Sequence, residues 1–282
     1  MNLLHIFILA LVQGLAELLP VSSSAHVVMA EKWLGLDPTA PEMTMLLVML
    51  HTGTMFAVIV YFWRHWQEAY FSSAEAFKRN AWQLLLATAA TGVVGLTLLE
   101  IIKHVFMAGA PSFEIEQLFG NRIIIASALA AAGILILVSS GLQRRATQHG
   151  QPMTTHAALW TGAVQGLCLP FRGFSRSGAT ISTSMALGVS RPVAEAFSFA
   201  LAVILTPAVI VKEGYRLVHA HALSSSAGGL SHLLMPGLVG MVLSFLAGLL
   251  ALRWLSGWLE HGRWHLFGLY CLAFSGVVWV AG

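Results

Sequence analysis

Charge is what this chain has least of. Of its 282 residues only 10% are charged, against 57% hydrophobic and a mean hydropathy of +0.77. A soluble globular domain carries about 25% charged and about 45–50% apolar residues, so the composition excludes that class and specifies a polytopic membrane protein. Cysteine is scarce too. Cys168 and Cys271 lie in apolar segments without metal-ligand spacing, which reads as packing and not as a disulfide framework or zinc site. No Lys or Arg precedes Lys32, so the basic start of a cleavable signal peptide is missing, and the first segment is expected to stay in the mature protein. The net charge of +3 is small for this length. It argues against a nucleic-acid partner and fits basic loops lying against anionic lipid.

Against this apolar background one stretch stands out. From Ala10 to His26 the chain carries Gln13, Glu17, Ser22, Ser23, Ser24 and His26, with Pro20 between the acid and the hydroxyls. Gln13 and Glu17 are one helical turn apart on one face, and Pro20 stops that helix by removing a donor and clashing with the preceding turn. The device recurs about half the chain later, with Val-Gln-Gly-Leu at 12–15 and again at 164–167, the second copy running on through Pro170 to Thr180. The first copy carries acid and imidazole, the second guanidinium and hydroxyls.

Read in order, residues 1–34 form a polar hairpin: Met1 to Leu19 enters, Pro20 to Ala25 turns, and His26 to Leu34 returns. Neither arm reaches the roughly 20 apolar residues a spanning helix needs, so the hairpin is expected to be re-entrant and walled by protein or a wet cavity. Spans are expected at Thr44 to Trp63, broken by His51-Thr52-Gly53-Thr54 and ending in the interfacial set Trp63 to Trp66, then at Trp82 to Ile102 and Ile123 to Leu142. A polar loop with Glu114 and Glu116 separates the last two. A second hairpin from His156 to Val189 and spans at Ala196 to Val211, Leu233 to Leu252 and Trp264 to Val280 complete the chain, with a flexible loop over Ser224 to Gly229. The fold class expected is all-α: a single integral membrane domain with six transmembrane helices and two re-entrant helical hairpins. An odd number of spans in each half makes residues 1–145 and 146–282 an inverted-topology repeat. Arg64, Lys78, Arg79, Arg144, Arg145, Arg253 and Arg263 outnumber Lys32, Lys103, Lys212 and Arg216, so the positive-inside rule puts the first hairpin on the outer side.

Glu17 is the sharpest candidate, because an ionisable residue inside a membrane segment marks a functional site or a paired charge, here Arg176. Ser23 stands just before a returning helix, where backbone N–H groups favour an anion, and His26 three residues on is within reach to orient or deprotonate it. Gly173-Phe-Ser175-Arg176-Ser177-Gly178-Ala-Thr180 combines tight backbone, hydroxyls, a guanidinium and a helix start, the equipment of a phosphate site without the Walker pattern. His51, Glu100 and Glu195 rank lower, as helix-packing groups.

The two motifs together, with Ala57 to Trp63 and Phe197 to Val203, resemble the undecaprenyl-diphosphate phosphatase family of the bacitracin-resistance type, over most of the chain. The resemblance implies a hydrolase of the bacterial inner membrane that removes the terminal phosphate of the C55 isoprenyl diphosphate carrier, recycling the lipid for peptidoglycan synthesis. It implies catalytic roles for Glu17, Ser23, His26 and Arg176, and substrate binding by Gln13, Ser175, Ser177, Gly178 and Thr180, with Arg172 beside them. Both hairpin tips are expected to meet near the midplane in one site open to the outer, periplasmic leaflet. Ser23 is the first choice as nucleophile, with water oriented by His26 as the alternative. His26 and Glu17 are expected as base, acid or metal contact, the metal being a divalent cation, Mg²⁺ or Ca²⁺. The expected partners are the polyprenyl diphosphate lipid, the bilayer and, for the assembly, a homodimer. The rival function is a transporter or flippase of a prenyl phosphate lipid that uses the same anion site without chemistry. The chain departs from the family pattern at Gln13, where many members have Glu, and at Arg172, where a Pro is usual. Together the changes add as much positive charge as a divalent cation brings, so weaker metal dependence is expected.

Overall fold

The computed structural model describes residues 2–38, 40–106, 121–145, 150–223, 230–259 and 263–281. Among them the regular elements are all helices: α1 (Leu3–Glu17), α2 (Ser23–Trp33), α3 (Pro41–Tyr70), α4 (Ala74–Phe106), α5 (Arg122–Arg145), α6 (Thr155–Cys168), α7 (Arg176–Ala186), α8 (Arg191–Leu223), α9 (Leu230–Leu259) and α10 (Trp264–Ala281). Six of these, α3, α4, α5, α8, α9 and α10, are long and apolar enough to cross a membrane. The class is therefore the expected one, an all-α multi-pass membrane protein. The loop with Glu114 and Glu116 and the loop over Ser224 to Gly229 lie outside the described residues.

Two compact units divide the chain, and their borders fall within α3 and α8. The first comprises Met1–Leu18, Ser23–Tyr61 and Ala202–His261; the second comprises Leu19–Ser22, Phe62–Leu201 and Gly262–Gly282. In the first unit α1 packs on α2 and α9. Leu9, Ala10, Val27, Ala30, Leu46, Leu47 and Leu50 make its apolar core. Gly14 lets the α1–α9 crossing close, since a Cβ there would lie 2.4 Å from the Ala247 Cβ. In the second unit α4 packs on α6, and α5 packs on both α7 and α10. Gly166, the counterpart of Gly14 in the repeated motif, sits in the α6–α4 contact, where a Cβ would lie 2.8 Å from the Thr91 carbonyl oxygen.

Several boundaries differ from the sequence expectation for identifiable reasons. The first hairpin turns over Leu18 to Ser22 and returns from Ser23, three residues earlier than expected, because Ser22 takes the left-handed conformation (φ 66°) that reverses the chain. Helix α3 is not broken at His51 to Thr54. Thr52 and Thr54 donate their hydroxyls to the Val48 and His51 carbonyls of their own helix (2.8 and 2.9 Å), so the polar run is satisfied without breaking the helix. Trp66 is not an interfacial anchor. It is buried, donates its indole N–H to the Ala196 carbonyl at 3.1 Å, and stacks on Phe62, which meets Phe199. Trp63, by contrast, is exposed, as an anchor should be. Both cysteines are free and buried, as packing residues.

The second hairpin is capped at both helix starts. The Thr154 side chain accepts from Ala157 N–H and the Ser175 side chain from Gly178 N–H. Its base is tied where Gln151 N–H donates to the Gly188 carbonyl and Ser190 N–H to the Gln151 carbonyl, both at 2.9 Å.

Candidate active site

The first unit gathers polar groups around one carboxylate. Asn2 caps α1, Gln13 and Glu17 share its buried face one turn apart, and the tight reversal at Ser22 returns Ser23 as the first residue of α2. Glu17 Oε2 accepts from Gln13 Nε2 at 2.9 Å and from Ser23 Oγ in a short hydrogen bond. His51 of α3 brings Nε2 to 3.3 Å from the same oxygen, while its Nδ1 lies 2.8 Å from the Leu47 carbonyl. Glu17 is only 9% exposed, and a carboxylate so far from water requires such donors. His26, one turn after Ser23 on α2, is half-buried.

A serine hydroxyl hydrogen-bonded to a buried carboxylate is an activated nucleophile in form, since the acceptor is placed to take the proton. Gln13 Oε1 is buried with no hydrogen-bond partner among the described residues, aligned with the Glu17 carboxylate on one helix face. Those two oxygens are of the type that could hold a hard cation. Among the described residues no cluster of three or more His, Cys, Asp or Glu side chains converges, so a cage built wholly from such side chains is not what these residues offer.

The second unit holds the other half of the motif. Gly173, at φ 114° and pressed against the Ile125 carbonyl, turns the chain so that α7 starts at Arg176. The hydroxyls here hold the loop. Ser175 Oγ accepts from Gly178 N–H at 3.1 Å. Ser177 Oγ donates to the Leu19 carbonyl at 3.3 Å. Thr180 Oγ1 donates to the Arg176 carbonyl at 2.8 Å and meets Ser198 Oγ at 2.6 Å. Leu19–Ser22, the turn of the first hairpin, thus belongs to this unit, and Cys271 Sγ donates to the Pro20 carbonyl at 3.5 Å from α10. Glycine suits Gly178, where a Cβ would fall 2.9 Å from Ser175 Oγ and 3.0 Å from the Pro20 oxygen. Arg176 and Arg172 are both half-buried.

Of the residues the sequence singled out, Gln13, Glu17 and Ser23 therefore share one hydrogen-bonded cluster. Ser175, Ser177, Gly178 and Thr180 build the N-terminal turn of α7, from which Arg176 projects. Thr180 is fully buried and serves to brace that turn. Nothing in the sequence placed His51 beside Glu17; its polar His-Thr-Gly-Thr run inside an apolar span pointed to a helix break.

These features define a polytopic helical membrane protein with a buried Ser–carboxylate cluster and a phosphate-type helix N-terminus. Residues 6–277 match the family described as "Bacitracin resistance protein BacA", and the chain belongs to that family. It is 66% identical to undecaprenyl-diphosphatase 2 of Acinetobacter baylyi over 280 residues, covering 99% of this chain and 97% of that one. It is 34% identical to undecaprenyl-diphosphatase of Syntrophotalea carbinolica, covering 98% of each chain. With undecaprenyl-diphosphatase 2 of Burkholderia ambifaria the identity is 33%, covering 96% of this chain and 94% of that one.

Proposed function

We propose that this chain hydrolyses undecaprenyl diphosphate to undecaprenyl phosphate and inorganic phosphate, in the bacterial inner membrane, with its site facing the periplasm. Family membership and the relatives' names support the reaction. The observation that carries it is Ser23 donating to the buried Glu17 carboxylate.

On this reading each motif has its own part in the chemistry. Arg176 grips the terminal phosphate bidentately, and the backbone N–H groups at the start of α7 favour its charge. Ser175, Ser177 and Thr180 keep that turn rigid, and rigid placement with charge neutralisation is most of what phosphoryl transfer requires. Ser23 Oγ bonds to the terminal phosphorus as its proton passes to Glu17. The bond from that phosphorus to the bridging oxygen breaks, and undecaprenyl phosphate leaves with the electron pair. Water then attacks the phosphoserine, giving a proton to His26, while Ser23 leaves and regains its proton from Glu17. A divalent cation, when bound, supplies further neutralisation of phosphate charge; Glu17 and Gln13 Oε1 are the groups that hold it. Arg172 supplies part of that charge from the protein itself.

The two halves form an inverted-topology repeat with re-entrant hairpins. The partner exchange supports this reading: α1 packs on α9, the fourth helix of the second half, and α6 packs on α4, the fourth helix of the first. The serine route is tested by trapping a phosphorylated enzyme from labelled diphosphate. Label is expected on Ser23, and in Ser23→Ala it is lost with turnover down at least about a hundredfold. A fully active Ser23→Ala protein contradicts it.

A further inference from the structure

We propose that His51 is a positioning residue for this reaction, fixing the Glu17 carboxylate in the orientation that receives the Ser23 hydroxyl. The proposal rests on the phosphatase reading above and extends it to a residue in α3, outside both sequence motifs.

His51 Nδ1 lies 2.8 Å from the Leu47 carbonyl oxygen, which can only accept, so Nδ1 carries hydrogen. The ring is thereby locked on its own helix one turn back, with Nε2 directed to Glu17 Oε2 at 3.3 Å. Nε2 is thus held in polar contact with the carboxylate oxygen. Oε2 is also the oxygen that accepts from Gln13 and Ser23. Gln13 and Glu17 lie on α1 and Ser23 starts α2, so these two donors come from the hairpin that carries the carboxylate itself. His51 adds a tether from a long spanning helix. That helix is seated against α9, where Ser244 Oγ donates to the Leu50 carbonyl at 2.9 Å, and a Cβ on Gly53 would fall 2.1 Å from the Met241 carbonyl oxygen. An imidazole held at both nitrogens orients a carboxylate as outer partners orient catalytic groups elsewhere.

His51→Ala, His51→Asn and His51→Gln test this in purified protein, with thermal unfolding in detergent confirming that each is folded. Gln can present an amide N–H near the position of Nε2; Asn and Ala cannot. The expected result is a fall in kcat of about ten- to a hundredfold for Ala and Asn, the range of one hydrogen bond to a charged group, with KM nearly unchanged and most of kcat restored in Gln. A spectroscopic readout is independent of turnover. In ¹⁵N-histidine-labelled protein the His51 Nε2 resonance, assigned by its loss in His51→Gln, should move on Glu17→Gln. Normal kcat in His51→Ala, or a Gln variant as slow as a folded Ala variant, overturns the proposal, as does an unmoved Nε2 resonance. If the unsubstituted chain releases no phosphate, the phosphatase reading fails, and the resonance alone still decides the His51–Glu17 contact.

Discussion

A single guanidinium and a single carboxylate carry opposite halves of the proposed chemistry, and each tolerates replacement differently. Arg176→Lys keeps the charge but replaces a planar fork with a point charge. Steady-state kinetics should show a loss of about a hundredfold or more, the scale of removing one preorganised anion donor. Near-normal turnover would remove Arg176 from the role of phosphate clamp. Gln13 and Arg172 make a second residue-level prediction. With a neutral amide beside Glu17 and an added cation in the second loop, activity should survive chelator better in this chain than in the Gln13→Glu, Arg172→Pro double variant. Equal silencing of both in a Mg²⁺ titration would show that Arg172 does no such work. Glu17, Gln13 and Ser23 were legible in the sequence because helical spacing plus Pro20 dictates a shared face and a sharp return. His51 was not, because its tie to Glu17 spans elements far apart in sequence, and neighbouring Thr residues that bond their own helix leave the same polar pattern as a break. Trp66 misled for a related reason. An indole beside Arg and His at the end of a span reads as an interface anchor, and only the distant Ala196 carbonyl shows that it is buried.

At the scale of helices, the repeated Val-Gln-Gly-Leu motif is a packing device as much as a chemical one. Gly14 and Gly166 each stand where a neighbouring helix crosses too close for a side chain. Gly14→Ala and Gly166→Ala should each destabilise the protein by about 1–3 kcal/mol through overpacking. Gly92, on α4 with nothing within 4 Å of its added Cβ, is the matched control. Gly92→Ala should be neutral or stabilising by up to about 1 kcal/mol, since Ala is the better helix former. Thermal unfolding in detergent separates the two outcomes, and equal behaviour at all three sites would contradict the close-approach account. Helix existence was legible from hydrophobic run length, and the two short arms from Pro20 and Pro170. Helix ends were not. They depend on caps such as Ser175 and on the left-handed Ser22, and no hydropathy pattern encodes either.

For the whole molecule, scarce charge specified a multi-pass membrane protein, and six apolar helices meet that expectation. The same architecture would serve a carrier of prenyl phosphate lipids. Carrier and hydrolase differ in whether a bond breaks, and a carrier needs two compartments while a hydrolase needs none. The decisive measurement is therefore phosphate release from undecaprenyl diphosphate by the purified chain in detergent, where no second compartment exists. Multiple-turnover release of inorganic phosphate, abolished in Glu17→Gln, is the result this account predicts. No release in detergent, together with movement of the intact lipid across vesicles containing the protein, would contradict it.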